Sequence, residues 1–235
     1  MATYLGTHGS KIQNYTTDPD NPNTGEVWYN DTDNVLKFQH PATTSAGSWR
    51  TGGSLNVVKQ NLASAGVSQT AAISMGGEVP PSNTKTGQTE LYDGTSWTEV
   101  NDMNTARHYI GGAGTQTSAL AFGGSGNLAQ TESYNGTNWT EVADMNTARR
   151  SLAGAGDNNT EALAFGGWSP PDYYANTESW NGSSWTEVND LNTARNEGSR
   201  GMGGTQTSAL MVGGSPTTVV ESWNGTSWTE ITEIN

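Results

Sequence analysis

The chain has no cysteine, and its only imidazoles are His8, His40 and His108. Thiol nucleophiles, disulfides and zinc–thiolate sites are therefore excluded. The three histidines follow neither the arrangement of a nucleophile–base–acid triad nor the spacing of a metal cluster. Asp18 to Gly25 sets oxygen ligands at alternate positions, as calcium loops do, but has no closing Glu at the right distance. A turn rich in Asp, Asn and Pro explains that segment more simply. No catalytic residue, metal or cofactor is expected, and the chain does not read as an enzyme. What remains is recognition chemistry. Trp168, Asp172, Tyr173 and Tyr174 crowd one segment, Trp168 to Asn176. Aromatic faces there suit stacking on a sugar ring or anchoring a protein partner. The simpler reading is that they cover the side of a neighbouring repeat.

Composition narrows the partner. With 23 acidic and 10 basic residues, the formal net charge is −13. A nucleic-acid binder carries the opposite sign, and an anionic membrane surface repels such a chain. No apolar run approaches the ~20 residues that span a bilayer. The N-terminal residues 1–15 hold no apolar core, so no signal peptide is expected and exit from the cell would follow host lysis. The chain has 30 Gly, 9 Trp and 8 Tyr, with abundant Asn, Thr and Ser. That mixture predicts turn-dense β structure with aromatic anchors.

The elements that carry these residues repeat. Thr89–Val100, Thr131–Val142, Thr177–Val188 and Val220–Ile231 are copies of one phrase, Thr-Glu-Ser-Tyr-Asn-Gly-Thr-Ser-Trp-Thr-Glu-Val in its averaged form. Its second aromatic falls at Trp97, Trp139, Trp185 and Trp228, and a degenerate upstream copy ends on Trp49. A second phrase alternates with it. Met103-Asn-Thr-Ala-Arg107 leads through a Gly-rich stretch to Ala119-Leu-Ala-Phe-Gly-Gly124, with copies at Met145–Gly167 and Leu191–Gly214 and a weaker one at Leu55–Gly77. Each unit predicts four short strands. The Gly-rich stretch comes first, in a crowded centre. The continuous apolar run is the second strand, buried on both faces. The third and fourth strands are joined by Asn-Gly or Asp-Gly, a strong hairpin signal.

The order of the paired glycines, the Tyr, the Trp and then Arg107, Arg149 or Arg195 resembles the kelch repeat, over roughly residues 55 to 231; Lys59 replaces the Arg in the first unit. The resemblance implies an all-β, kelch-like β-propeller. Residues 11–15, 26–30, 35–39 and 48–52 supply strands for a divergent first blade, giving five four-stranded blades. The alternative is four blades plus an N-terminal hairpin segment. The expected division is an N-terminal segment over 1–53 and propeller repeats over 54–235. Copper-radical chemistry, known in kelch-like oxidases, needs a Cys and is absent. Asp93–Trp97 is similar to the sialidase Asp-box, but its Gly comes one position early and no arginine cluster accompanies it.

Positions identical in every repeat serve the fold; positions that differ are where a unique site lies. By that rule the repeated Trp residues pack between blades rather than forming a ring of sugar platforms. The repeated Arg and Glu residues (Glu90, Glu132, Glu178 and Glu221) pair within or between blades; the alternative is a basic ring at one channel mouth that binds an anion. The second-to-third-strand loops differ most: Glu78 to Gly87, Ser125 to Ala129, Trp168 to Asn176 and Ser215 to Val219. Loop variation on a rigid scaffold marks recognition.

Gly25 to Phe38, followed by Ser48 to Gly53, resembles a hairpin of bacteriophage tail-fibre and other virion proteins, and the later repeat phrases resemble kelch-like propellers of marine phages. This implies a non-enzymatic structural or adhesion module of a virion, assembled in the host cytoplasm and extracellular in the particle. Its partners would be neighbouring tail proteins, host-surface glycan or a receptor, with homo-oligomerisation left open. Alternatives are a propeller-type glycan-processing enzyme and a bacterial adhesin.

Overall fold

A computed structural model of the chain describes residues 13–15, 27–30, 32, 35–38, 51–197 and 204–231. The described residues are all-β, without helix, and the chain divides into two compact units, Met1–Thr51 and Gly52–Asn235.

The larger unit is a series of antiparallel meanders. Sheet I comprises Ala63–Ser68, Ala71–Met75, Thr89–Tyr92 and Trp97–Val100. Sheet II comprises Gly111–Thr115, Ser118–Phe122, Thr131–Tyr134 and Trp139–Val142. Sheet III comprises Ala153–Asn158, Glu161–Phe165, Thr177–Trp180 and Trp185–Val188. Sheet IV shows Ala209–Val212, Val220–Trp223 and Trp228–Ile231. The Gly-rich strand expected before it falls partly on residues 198–203, outside the described residues.

Local chemistry explains each meander. Ala119 to Phe122 are all buried, as are Ala162 to Phe165, so the second strand is covered on both faces. In the third-to-fourth hairpin, the Oδ1 of Asp93, Asn135, Asn181 or Asn224 accepts the backbone N–H groups two and three residues on, at 2.8–3.0 Å. The following Gly sits at φ 89–94°, where a side chain is strained.

Neighbouring sheets bury their faces on one another. Ile73 and Met75 of sheet I share a core with Ala119, Ala121, Tyr134 and Trp139 of sheet II. The same pattern links sheets II and III, and III and IV. Each repeated Trp crosses back to the preceding sheet: the indole Nε1 of Trp139, Trp185 and Trp228 donates to the hydroxyl of Thr89, Thr131 and Thr177, at 3.0–3.1 Å. The tryptophans therefore act as inter-sheet packing, as the repeat comparison predicts. Sheet I breaks the pattern. Trp97 is half-buried and donates to the Gly53 carbonyl instead.

Two expectations need correction. The second-to-third connections of sheets I and III are not plain loops: each folds into a two-stranded ribbon, Glu78–Val79 with Thr84–Lys85 and Trp168–Ser169 with Asp172–Tyr173. The smaller unit also departs from a blade meander. Its strands are Gln13–Tyr15, Val27–Asn30 and Val35–Phe38. The last two form the expected antiparallel hairpin, but the first pairs parallel to the second. A tight turn cannot join a parallel pair, and 11 residues separate Tyr15 from Val27 in the sequence. Of the expected fourth strand, 48–50 lie outside the described residues and Thr51 and Gly52 are not in a strand.

Candidate functional site

The repeated polar residues form a buried lock. Arg107, Arg149 and Arg195 are fully buried. Arg107 meets Glu132 at 2.9 Å, Arg149 meets Glu178 at 2.5 Å, and Arg195 pairs with Glu221. Lys59 takes the same place against Glu90 at 3.3 Å. Each carboxylate also accepts the backbone N–H of the repeat Asn (Asn56, Asn104, Asn146 or Asn192) at 2.6–2.7 Å. The Asn side chain donates to that carboxylate and to the carbonyl of the repeated Trp. The lock ties each fourth-to-first connection into its sheet. A basic ring at a channel mouth is thereby overturned, because these cations are paired and out of solvent.

The first strands of sheets I, II and III, with Gly204 and Thr205 ahead of sheet IV, line a common cavity of about 290 Å³ at Ser64–Val67, Gly112–Gly114 and Gly154–Asp157. Among the described residues its walls are mostly backbone and small side chains, with Asp157 the one charged lining residue. At the end where the first strands begin, Asn61, Tyr109, Ser151 and Glu197 all hold φ of 54–56°. Their backbones form a chain from sheet to sheet: Tyr109 N–H donates to Asn61 O at 2.9 Å, Ser151 to Tyr109 at 2.8 Å, and Glu197 to Ser151 at 3.1 Å. Left-handed backbone at four non-glycine residues costs of order 1 kcal/mol or more each, and such positions cluster at functional sites.

That same end carries residues that vary between repeats. The residue after the buried cation is Gln60, His108, Arg150 or Asn196, and the residue after the paired glycines is Glu78, Ser125, Trp168 or Ser215. Backbone bridges join the two sets, Gln60 with Glu78, Arg150 with Trp168 and Asn196 with Ser215. The scaffold thus presents unlike side chains from equivalent places.

The richest cluster lies between sheets II and III. The Arg150 guanidinium stacks 4.4 Å from the Trp168 ring centroid and 5.8 Å from that of Tyr109. Tyr109 packs edge-on against His108. His108 Nδ1 lies 3.0 Å from Glu78 Oε2, at ion-pair distance but out of line for a hydrogen bond. Burial holds His108 below the ordinary imidazole range; Glu78 opposes this, while the charges of Lys85 and Arg150 reinforce it. Burial works against ionisation of Glu78, but hydrogen bonds from Gln60 and Asn61, with the His108 charge, outweigh it and hold the carboxyl below its usual range.

Of the residues singled out in sequence, Trp168 is half-buried under Arg150, and Tyr173 lies opposite it across the ribbon, 42% exposed, with its hydroxyl 3.4 Å from Ser215 Oγ. Asp172 is exposed beside them. Tyr174 is set apart: its backbone joins Gly167 O and Arg195 N at the ribbon's base. Tyr109 and Arg150 escape a search confined to the second-to-third loops, yet both sit at positions that vary between repeats. The segment 18–25, His8 and His40 lie outside the described residues. Among the described residues, no three His, Asp or Glu converge as a metal group. Comparison with protein-family models and with curated proteins returned no match.

Proposed function

We propose that this chain is a non-enzymatic recognition module of a bacteriophage particle, built as a kelch-like propeller, that attaches to host-surface glycan. The carrying observation is the contrast between a repeated interior and a non-repeated end. A buried cation (Lys59, Arg107, Arg149 or Arg195), a Glu and an Asn recur in every sheet and a packed Trp in sheets II, III and IV, while equivalent positions at one end hold Gln60, His108, Arg150 and Asn196. Sheets arranged as blades around a shared cavity support the propeller reading. The N-terminal hairpin phrase supports a virion setting, where tail proteins are the structural neighbours. The ribbon from Trp168 to Tyr173 forms the aromatic platform, with Trp168, Asp172 and Tyr173 at the ligand and Tyr174 bracing the ribbon's base.

The test is a glycan array probed with the full chain, alongside turnover assays on the saccharides that bind. Binding without cleavage, lost in Trp168→Ala, supports the proposal. Cleavage of a bound saccharide supports the enzyme alternative instead, and absence of binding to any saccharide overturns the glycan reading.

A further inference from the structure

In a chain of net charge −13, Arg150 is a cation that the repeat lock does not use. Arg150 is half-buried over Trp168 and beside Tyr109, and its charge, with that of Lys85, bears on the neighbouring His108 against the opposing charge of Glu78. Arg149, one residue earlier, spends its donors on Glu178 and on the carbonyls of Gly166 and Thr147. Arg150 does none of this. Among the described residues it has no acidic partner and no side-chain hydrogen bond within the protein. Its guanidinium is held by Trp168 and Tyr109, so little side-chain freedom remains to be lost when a ligand binds. A guanidinium is a planar set of N–H donors matched to a carboxylate, and stacking on an aromatic face leaves those in-plane donors available. Exposed Tyr173 and Asp172 stand across the ribbon from Trp168 and Ser169, giving a ring face and an acceptor for hydroxyl groups nearby.

We propose that Arg150, stacked over Trp168 and beside Tyr109, is a carboxylate-recognising subsite, and that the ligand class is a saccharide bearing a single carboxylate group, such as an otherwise neutral glycan with one uronic-acid residue. The inference rests on the glycan-binding reading above and sharpens it to charge. No other repeat repeats this chemistry: the positions equivalent to Arg150 are Gln60, His108 and Asn196. The site is therefore single among the four described repeats, and the contact between Arg150 and the carboxylate weakens as salt rises because part of it is Coulombic.

The experiment is calorimetric titration of the full chain with a neutral oligosaccharide ending in one galacturonic acid, its methyl ester, and the same oligosaccharide carrying one sulfate instead. The acid is expected to bind about 10-fold to 100-fold tighter than the ester, the range of one charge-assisted hydrogen-bonded contact. Arg150→Gln is expected to erase that difference while its circular dichroism stays that of wild type and its melting temperature falls by no more than about 4 °C. Equal binding of acid and ester, or a preference that survives Arg150→Gln, overturns the subsite and leaves the recognition module standing. Tighter binding of the sulfated sugar than of the uronate overturns the carboxylate assignment. If neither charged nor neutral saccharide binds, the glycan reading and the subsite fall together.

Discussion

Arg149 and Arg150 are adjacent in sequence and opposite in role, so the same substitution at each should give different results. Arg149 is fully buried and reaches Glu178 Oε1 at 2.5 Å, Gly166 O at 2.8 Å and Thr147 O at 2.9 Å. Arg149→Gln leaves the buried Glu178 carboxylate without its cation. Breaking a buried pair by removing one partner costs about 3–5 kcal/mol. At about 2–4 °C per kcal/mol for a unit of this size, the melting temperature falls by roughly 6–20 °C. Arg150→Gln loses two aromatic stacking contacts on a half-buried side chain, about 1 kcal/mol or less. The double variant Arg149→Met with Glu178→Leu removes both charges and recovers most of the loss, because no charge is left buried alone. The assay is thermal and urea unfolding of the four proteins side by side. If Arg149→Gln and Arg150→Gln melt together, or if the double variant is no better than Arg149→Gln, the buried-lock reasoning is wrong.

Lys59→Arg restores the repeat residue beside Glu90, whose Oε1 accepts no well-formed hydrogen bond at present; urea titration should show a gain of about 1 kcal/mol. Gly154→Ala places a Cβ 2.4 Å from Gly112 O and 2.6 Å from Phe122 Cζ, so unfolding should show a loss of about 1–3 kcal/mol from overpacking. Acidification from pH 7 to 4 should lower the melting temperature through both members of the His108–Glu78 pair. His108 is held below 6.5, so its cost appears as pH falls through the unfolded value; Glu78 is held below 4.5, so its contribution fades as pH falls through the folded one. His108→Gln should flatten the melting profile just below pH 6.5, and Glu78→Gln the part near pH 4.

Much of this fold is legible in the repeats. Asn-Gly and Asp-Gly mark the third-to-fourth hairpins because the Asn or Asp side chain caps its own turn. The apolar run from Ala119 to Phe122 marks a strand covered on both sides. The recurrence of Trp139, Trp185 and Trp228 reads as packing, and each indole does reach a Thr on the preceding sheet. Other features depend on contacts that spacing does not carry. Nothing in Gln13–Tyr15 announces parallel pairing with Val27–Asn30. The ribbon at Trp168 to Tyr173 is too short for alternation to register. Pairing of Arg with Glu was one of two open readings, and only burial separates a lock from a basic ring. Arg150 is the instructive omission. It looks like the second half of an Arg-Arg pair, yet alignment of Lys59-Gln60, Arg107-His108, Arg149-Arg150 and Arg195-Asn196 shows a fixed cation followed by a free position.

The most direct measurement is saccharide binding by three forms of the full chain on one glycan array: wild type, Trp168→Ala at the variable end, and Thr95→Lys in the exposed third-to-fourth hairpin of sheet I. Recognition by the variable end predicts binding by wild type, retention in Thr95→Lys and loss of about tenfold or more in Trp168→Ala, the scale of a stacked aromatic anchor. Binding that Trp168→Ala leaves intact, or that Thr95→Lys abolishes, contradicts it.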